Sequence, residues 1–206
     1  MYTSHQNKVV AHIKKRVQDL FGEFPVPVHG FDHAQRVAEH AKYIAEKEGK
    51  QNIFICEIVG WLHDIGRVPE KYNGRTERHH ELSYELLKKW YAEDDVFSFL
   101  SIEEKKEILY ALRYHWCDGA DEYDSALILR DADKLDLLGS IGMERTFEWC
   151  SAKSIKIEDD IRNKYYCYYW LRTQTAKKFA RENKLMEPVD TYFRELLKKS
   201  IEPIEL

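Results

Sequence analysis

The 206-residue sequence is short of the residues that make tight turns, with 9 glycines and 5 prolines. That is too few for the many close reversals of a sandwich or barrel. No stretch alternates apolar and polar residues over a useful length, and no internal repeat or low-complexity segment is present. These absences predict an all-α fold. The four cysteines, Cys56, Cys117, Cys150 and Cys167, form no C-x-x-C pair. Three of them sit in apolar or aromatic segments, where a reduced, buried thiol is the usual occupant, so a reducing compartment is expected. No apolar run approaches the roughly 20 residues that span a bilayer. The opening "MYTSHQNKVVAHIKKRV" lacks the hydrophobic centre of a signal peptide. A cytoplasmic protein with no membrane partner is the expectation. An excess of positive charge is also missing: the formal net charge is −4. Nucleic acid is therefore not an expected partner, and any phosphate recognition must be local.

What is present suits one domain over residues 1–206, with 44% apolar and 33% charged residues. From Ser4 to Phe21, Val9, Val10, Ile13, Val17 and Leu20 recur at helical spacing, and "GEFPVPVHG" ends the pattern. Asp32 is placed to cap a second helix reaching about Glu48, and Asn52 a third ending near Gly66. "RVPEKYNGRT" reads as a loop and Glu77–Tyr91 as a fourth helix. Ser101 and Glu104 form a capping box ahead of a fifth. Asp124 or Ser125 opens a sixth, "ALILRDADKLDLLG", which continues through "SIGMERTFEWC" after a glycine-marked bend. From about Ile157 the pattern reads as one long helix rich in tyrosine and tryptophan, then a short one near "VDTYFRELLKKS".

Helical neighbours three, four and seven apart share a face. By that rule His33, His63, His79 and His115 all lie on apolar faces, and Asp133 shares a row with Ala126, Leu129 and Leu137. One histidine on such a face is usually a hydrogen-bonded core residue, and Asp133 alone could pair with Arg130 or Lys134. Several imidazoles and two carboxylates converging on one interior are costly separately and are satisfied together by a divalent cation. His63 and Asp64 end the apolar run "IFICEIVGWL". On a regular helix adjacent residues diverge by about 100°. At a frayed last turn before Gly66 both could reach one ion, at about 2.0–2.2 Å.

His33 in "HGFDHAQRV", His63 and Asp64 in "GWLHDIGR" and Asp133 in "RDADKLDLLG" stand in the order H…HD…D. In this the chain resembles the HD-domain superfamily of metal-dependent phosphohydrolases, and within it the stand-alone predicted HD-superfamily hydrolases. Some of their relatives cleave nucleoside triphosphates to monophosphate and pyrophosphate. The resemblance implies a helical bundle over residues 27–147, with additional C-terminal helices over 153–206. It also implies metal ligands at His33, His63, Asp64 and Asp133, and a small phosphorylated substrate, a nucleotide by preference. "HHELSYELL" and "RYHWCDG" resemble segments of the cyclic-dinucleotide phosphodiesterase branch, matching His79 and His115 to positions that help bind a second metal there. Tyr114 stands where that branch has a histidine, and no G-Y-P follows Gly119. A second metal, or contact of His79 and His115 with phosphate or water, both stay open.

Mixed imidazole and carboxylate ligands suit manganese, iron, cobalt, nickel or zinc better than magnesium. Asp64, His79 and His115 are the catalytic candidates. Arg67 and Lys134 are the candidate phosphate contacts, although Arg67 could equally face solvent. Asp131 and Asp136 read as surface or supporting residues. His29 is assigned to the loop and left out with His5, His12, His40 and His80. Three functions follow: a phosphohydrolase acting on a nucleotide or other small phosphate compound, a cyclic-nucleotide phosphodiesterase, and a non-catalytic metal- and nucleotide-binding sensor.

Overall fold

Thr3 starts the first helix, α1 (Ser4–Glu23), by a reciprocal cap. Its hydroxyl accepts the Gln6 N–H at 3.2 Å, and the Gln6 side chain accepts the Thr3 N–H at 3.0 Å. The structure, a computed structural model, describes residues 2–50, 52–75 and 77–200. Residues 201–206 of the expected C-terminal stretch lie outside the described residues. No strand occurs among the described residues, and the chain is all-α. No helix among them is long and apolar enough to cross a membrane. Contacts divide the chain into two compact units, Met1–Asp133 and Lys134–Leu206.

In the first unit, α2 (Phe31–Lys47) begins two residues earlier than expected. Gly30 takes the cap position and Asp32 falls in the first turn, where its charge suits the helix dipole without capping. α3 (Ile53–Leu62) has Asn52 at its cap position, but the Asn52 side chain accepts no N–H of the helix, and its amide nitrogen donates to Glu107 Oε2 at 3.1 Å. α3 stops at Leu62, short of Gly66. Residues 63–66 form tight turns, with Ile65 N–H to Leu62 O at 3.3 Å and Arg67 N–H to Asp64 O at 2.9 Å. The expected loop from Arg67 is in its first half a helix, α4 (Arg67–Tyr72). Pro69 is tolerated because it lies in the first turn, where the N–H it lacks would have no helical partner. Then come α5 (His79–Glu93), a 3-10 turn (Asp95–Phe99) and α6 (Ile102–Tyr114). α6 carries the expected capping box of Ser101 and Glu104. α7 (Asp124–Asp136) belongs to this unit up to Asp133.

α3 is buried on nearly every side, which is why its ten residues are almost uniformly apolar. It packs on α1, α2 and α6, while α5 packs on α4 and α6. The approach of α2 to α3 is set by Gly60, where a Cβ would lie 2.5 Å from Ala38 Cα. Bare backbone at that crossing brings the start of α2 beside the turn that follows α3.

In the second unit, α8 (Gly139–Lys153) follows a bend at Gly139, whose φ is +70°. The expected long helix from Ile157 is two shorter ones, α9 (Ile157–Tyr169) and α10 (Gln174–Glu182), and the expected short helix near "VDTYFRELLKKS" is α11 (Glu187–Ser200). Thr173 makes the first break by accepting the Ala176 N–H at 3.2 Å. Lys184, with φ at +52°, lies in the second. Met143, Ile161 and Val189 form the core of α8, α9 and α11. Within it Lys164 is buried, its ammonium donating to Leu137 O at 2.7 Å and Gly142 O at 3.0 Å. Tyr166, Tyr169 and Trp170 are exposed, so the aromatic run is only partly core.

Candidate metal centre

Five segments of the first unit deliver side chains to one interior. The start of α2 supplies His33, the 63–66 turn supplies His63 and Asp64, and the start of α5 supplies His79. The end of α6 supplies His115, and α7 supplies Asp133. His33 Nε2 lies 3.0 Å from His63 Nε2, 3.6 Å from Asp64 Oδ2 and 3.5 Å from Asp133 Oδ1. His63 Nε2 lies 3.6 Å from Asp64 Oδ2 and 3.9 Å from Asp133 Oδ1. In the 63–66 turn, where i→i+3 bonds replace the α-helical ladder, the adjacent His63 Nε2 and Asp64 Oδ2 reach the same interior.

Asp64 divides its oxygens between two groups. Oδ2 faces His33 and His63 and also His29, whose Nδ1 is 2.7 Å away. Oδ1 faces His79 Nε2 and Arg67 Nε, each at 3.4 Å. His79 Nε2 in turn lies 3.2 Å from His115 Nε2. Three trios can therefore hold a cation: His29–His33–Asp64, His33–His63–Asp133 and Asp64–His79–His115. Within each, the donor atoms lie within 4.8 Å of one another.

The hydrogen bonds behind the rings support this use. His63 Nδ1 donates to Gly60 O at 2.8 Å and His115 Nδ1 to Leu112 O at 2.7 Å. In the neutral rings, the inward-facing Nε2 atoms of both therefore carry lone pairs. Lone pairs and carboxylate oxygens packed this closely repel one another unless a proton or cation lies between them, and the donor set fits a divalent ion.

His29 is the residue that sequence reasoning leaves out. It does lie in a loop, but Val28 before it adopts φ of +57°, rare for a β-branched residue, and the loop brings His29 onto Asp64. Its four-residue spacing from His33 was the available signal. His80 is also buried. Arg67 does not face solvent: its side chain is about one-fifth exposed and lies against both Asp64 and Glu70. Lys134 is buried, its ammonium 5.9 Å over the Tyr166 ring. Asp131 and Asp136 are buried, contrary to a surface reading, and Asp136 pairs with Arg145 at 2.6 Å. Arg130 donates to Ala120 O and pairs with Asp121 instead of Asp133.

Burial alone would favour a neutral Asp64, but Arg67, His63 and His29 outweigh it and hold the carboxyl well below the usual carboxylate range. Asp133 is also lowered, its burial outweighed chiefly by His63 and His33. Burial pushes His115 down to about 4 and His79 to about 2, so both rings are neutral at pH 7. In the unfolded chain such imidazoles titrate near 6.5. Between these values the unfolded chain binds more protons, so this stability is present above about pH 6.5 and is lost as pH falls. His29 and His80 act in the same direction, and Glu107, raised by burial, opposes them. The metal-free protein is expected to melt at a lower temperature at pH 5 than at pH 7.5. A flat or rising melting temperature on acidification would contradict this.

Residues 30–138, more than half the chain, match the HD domain family. The chain belongs to that family. This HD-domain protein is 26% identical over 168 residues to YpgQ of Bacillus subtilis, covering 75% of this chain and 77% of YpgQ. The crystal structure of YpgQ in complex with ADP shares the fold, with a TM-score of 0.73 and 23% identity over 98% of this chain and 100% of that one. A structure described as a predicted HD superfamily hydrolase, from an uncultured Thermotogales bacterium, has a TM-score of 0.66 and 24% identity. It covers 92% of this chain and 91% of its own. HD domains bind divalent metals, and the trios around Asp64 could hold one.

Proposed function

We propose that this HD-domain protein is a metal-dependent phosphohydrolase acting on a nucleotide or another small phosphate compound. The observation that carries the reading is the convergence of His33, His63 and Asp133, with Asp64 Oδ2 3.6 Å from both imidazole nitrogens. His33, His63, Asp64 and Asp133 would hold the ion. A divalent cation held there would supply Lewis acidity, lowering the pKa of water to about 7 and offsetting charge on a phosphoryl group.

The chain's own residues do the rest. His115, with Nδ1 committed to Leu112 O, can accept a proton only at Nε2. His79, at 3.2 Å from that atom, orients it. Arg67 keeps Asp64 ionised and offers its remaining donors to a phosphate oxygen, and Lys134 is a second proposed phosphate contact. The nucleotide part draws support from YpgQ, whose structure contains ADP. A second reading, a cyclic-nucleotide phosphodiesterase, is favoured by the Asp64–His79–His115 trio, which supplies donors for a second ion.

Metal analysis of the purified protein, followed by phosphate- and pyrophosphate-release assays with manganese, tests the proposal. The expected result is bound metal and turnover of a nucleoside mono-, di- or triphosphate. Turnover of cyclic dinucleotides alone favours the second reading. Metal and nucleotide binding without any turnover would overturn both in favour of a sensor.

A further inference from the structure

Trp116 directly follows His115 on the turn that ends α6, and it is 54% exposed. The ring is nevertheless held in place. His80 stacks on it with centroids 5.4 Å apart and planes at 26°, and the Arg78 guanidinium lies 5.5 Å over it. His80 is buried, 5.5 Å from the His79 ring and 6.1 Å from the His115 ring. A continuous line of rings therefore runs from the Asp64–His79–His115 trio, through His80, to an indole that meets solvent. His80 Nδ1 is buried without a hydrogen-bond partner among the described residues, so stacking and not a polar bond fixes this ring. Arg78 is exposed and makes no ion pair among the described residues.

An exposed indole beside an unpaired guanidinium, one ring away from a cluster suited to a metal and phosphate, matches an aromatic heterocycle bearing phosphates. Inorganic phosphate or pyrophosphate would leave the indole unused. We infer that Trp116, flanked by Arg78, is the platform on which the base of a nucleotide substrate stacks. This makes Trp116 a specificity-determining residue for nucleotides over base-free phosphates, and it rests on the phosphohydrolase reading above. Stacking does not read hydrogen-bond edges, so discrimination among bases should be weak.

The test measures binding of a nucleoside diphosphate and of pyrophosphate to the full chain loaded with manganese, by calorimetry. In Trp116→Ala the ratio of nucleoside diphosphate to pyrophosphate affinity should fall about tenfold or more. Trp116→Phe, which keeps a ring, should restore most of it. An unchanged ratio, or equal loss for both ligands, overturns the platform while leaving the phosphohydrolase reading intact. Wild-type protein that binds pyrophosphate but no nucleotide overturns the nucleotide reading as well. Should the alanine variant fail to fold, indole fluorescence decides. The wild-type signal should be quenched by nucleoside diphosphate and not by pyrophosphate, and that difference should vanish in Trp116→Phe. A difference that persists in Trp116→Phe overturns the platform.

Discussion

Asp64→Ala is expected to strip the protein of bound metal and to cut phosphate release roughly a thousandfold or more, while its helical circular dichroism stays near wild type. The effect should be this large because one carboxylate serves both sides of the centre. Oδ2 lies 3.6 Å from His33 and His63, and Oδ1 lies 3.4 Å from His79. Removing it takes the anion from two of the three trios at once and leaves Arg67 facing neutral imidazoles. The fold should survive, because α2, α3 and α6 are joined by apolar residues elsewhere and Asp64 sits in a turn outside any helix. Metal content by elemental analysis and release rates with saturating manganese are the measurements. A variant that keeps its metal and turns over within about tenfold of wild type would remove Asp64 from the centre.

Gly66→Ala should carry the largest stability loss of any single added methyl near the centre. A Cβ at this position would fall 2.0 Å from His79 O and 2.4 Å from Ser83 N, both backbone atoms of α5. No rotamer can relieve that overlap, so either the turn or the helix must move. The same contact is fastened by Ser83, whose hydroxyl accepts the Gly66 N–H at 2.9 Å and donates to His63 O at 2.7 Å. A loss of about 3 kcal/mol or more is expected, equivalent to a melting temperature lower by roughly 6–12 °C in a chain of this size. Because the displaced atoms carry Asp64 and His79, metal affinity should fall in the molecules that remain folded. Gly22→Ala is the control, since a Cβ there meets nothing within 4 Å. If both variants melt together with wild type, the close approach at Gly66 is wrong.

The parts of the fold legible in the sequence are those decided by local chemistry. The Ser101–Glu104 box starts α6 as read, because both bonds are made within four residues. The α1 stripe is likewise set by spacing alone, with Val9, Ile13 and Val17 buried. What could not be read depends on partners distant in the chain. Asn52 has the right identity for a cap, but its side-chain oxygen accepts no N–H of α3, and its amide nitrogen is held by Glu107, 55 residues away. α4 was hidden because Pro69, Asn73 and Gly74 resemble a loop until the first-turn position of the proline is known. The C-terminal helix was overextended because Thr173 looks like any polar surface residue until its hydroxyl is seen on Ala176. At the centre, His33, His63, Asp64 and Asp133 were visible as polar residues on apolar faces. His29 was not, since a loop residue has no face and its direction is set by an unusual backbone angle at Val28.

The buried Lys164 ammonium has a consequence for how the molecule responds to chelators. Burial lowers its pKa to about 8, and it bridges the Leu137 and Gly142 carbonyls as a captured cation would. The C-terminal unit thus carries a tethered cation in its own interior. Removing metal from the histidine and aspartate cluster with a chelating agent leaves this internal charge in place, so the helices around Met143, Ile161 and Val189 keep their own anchor throughout.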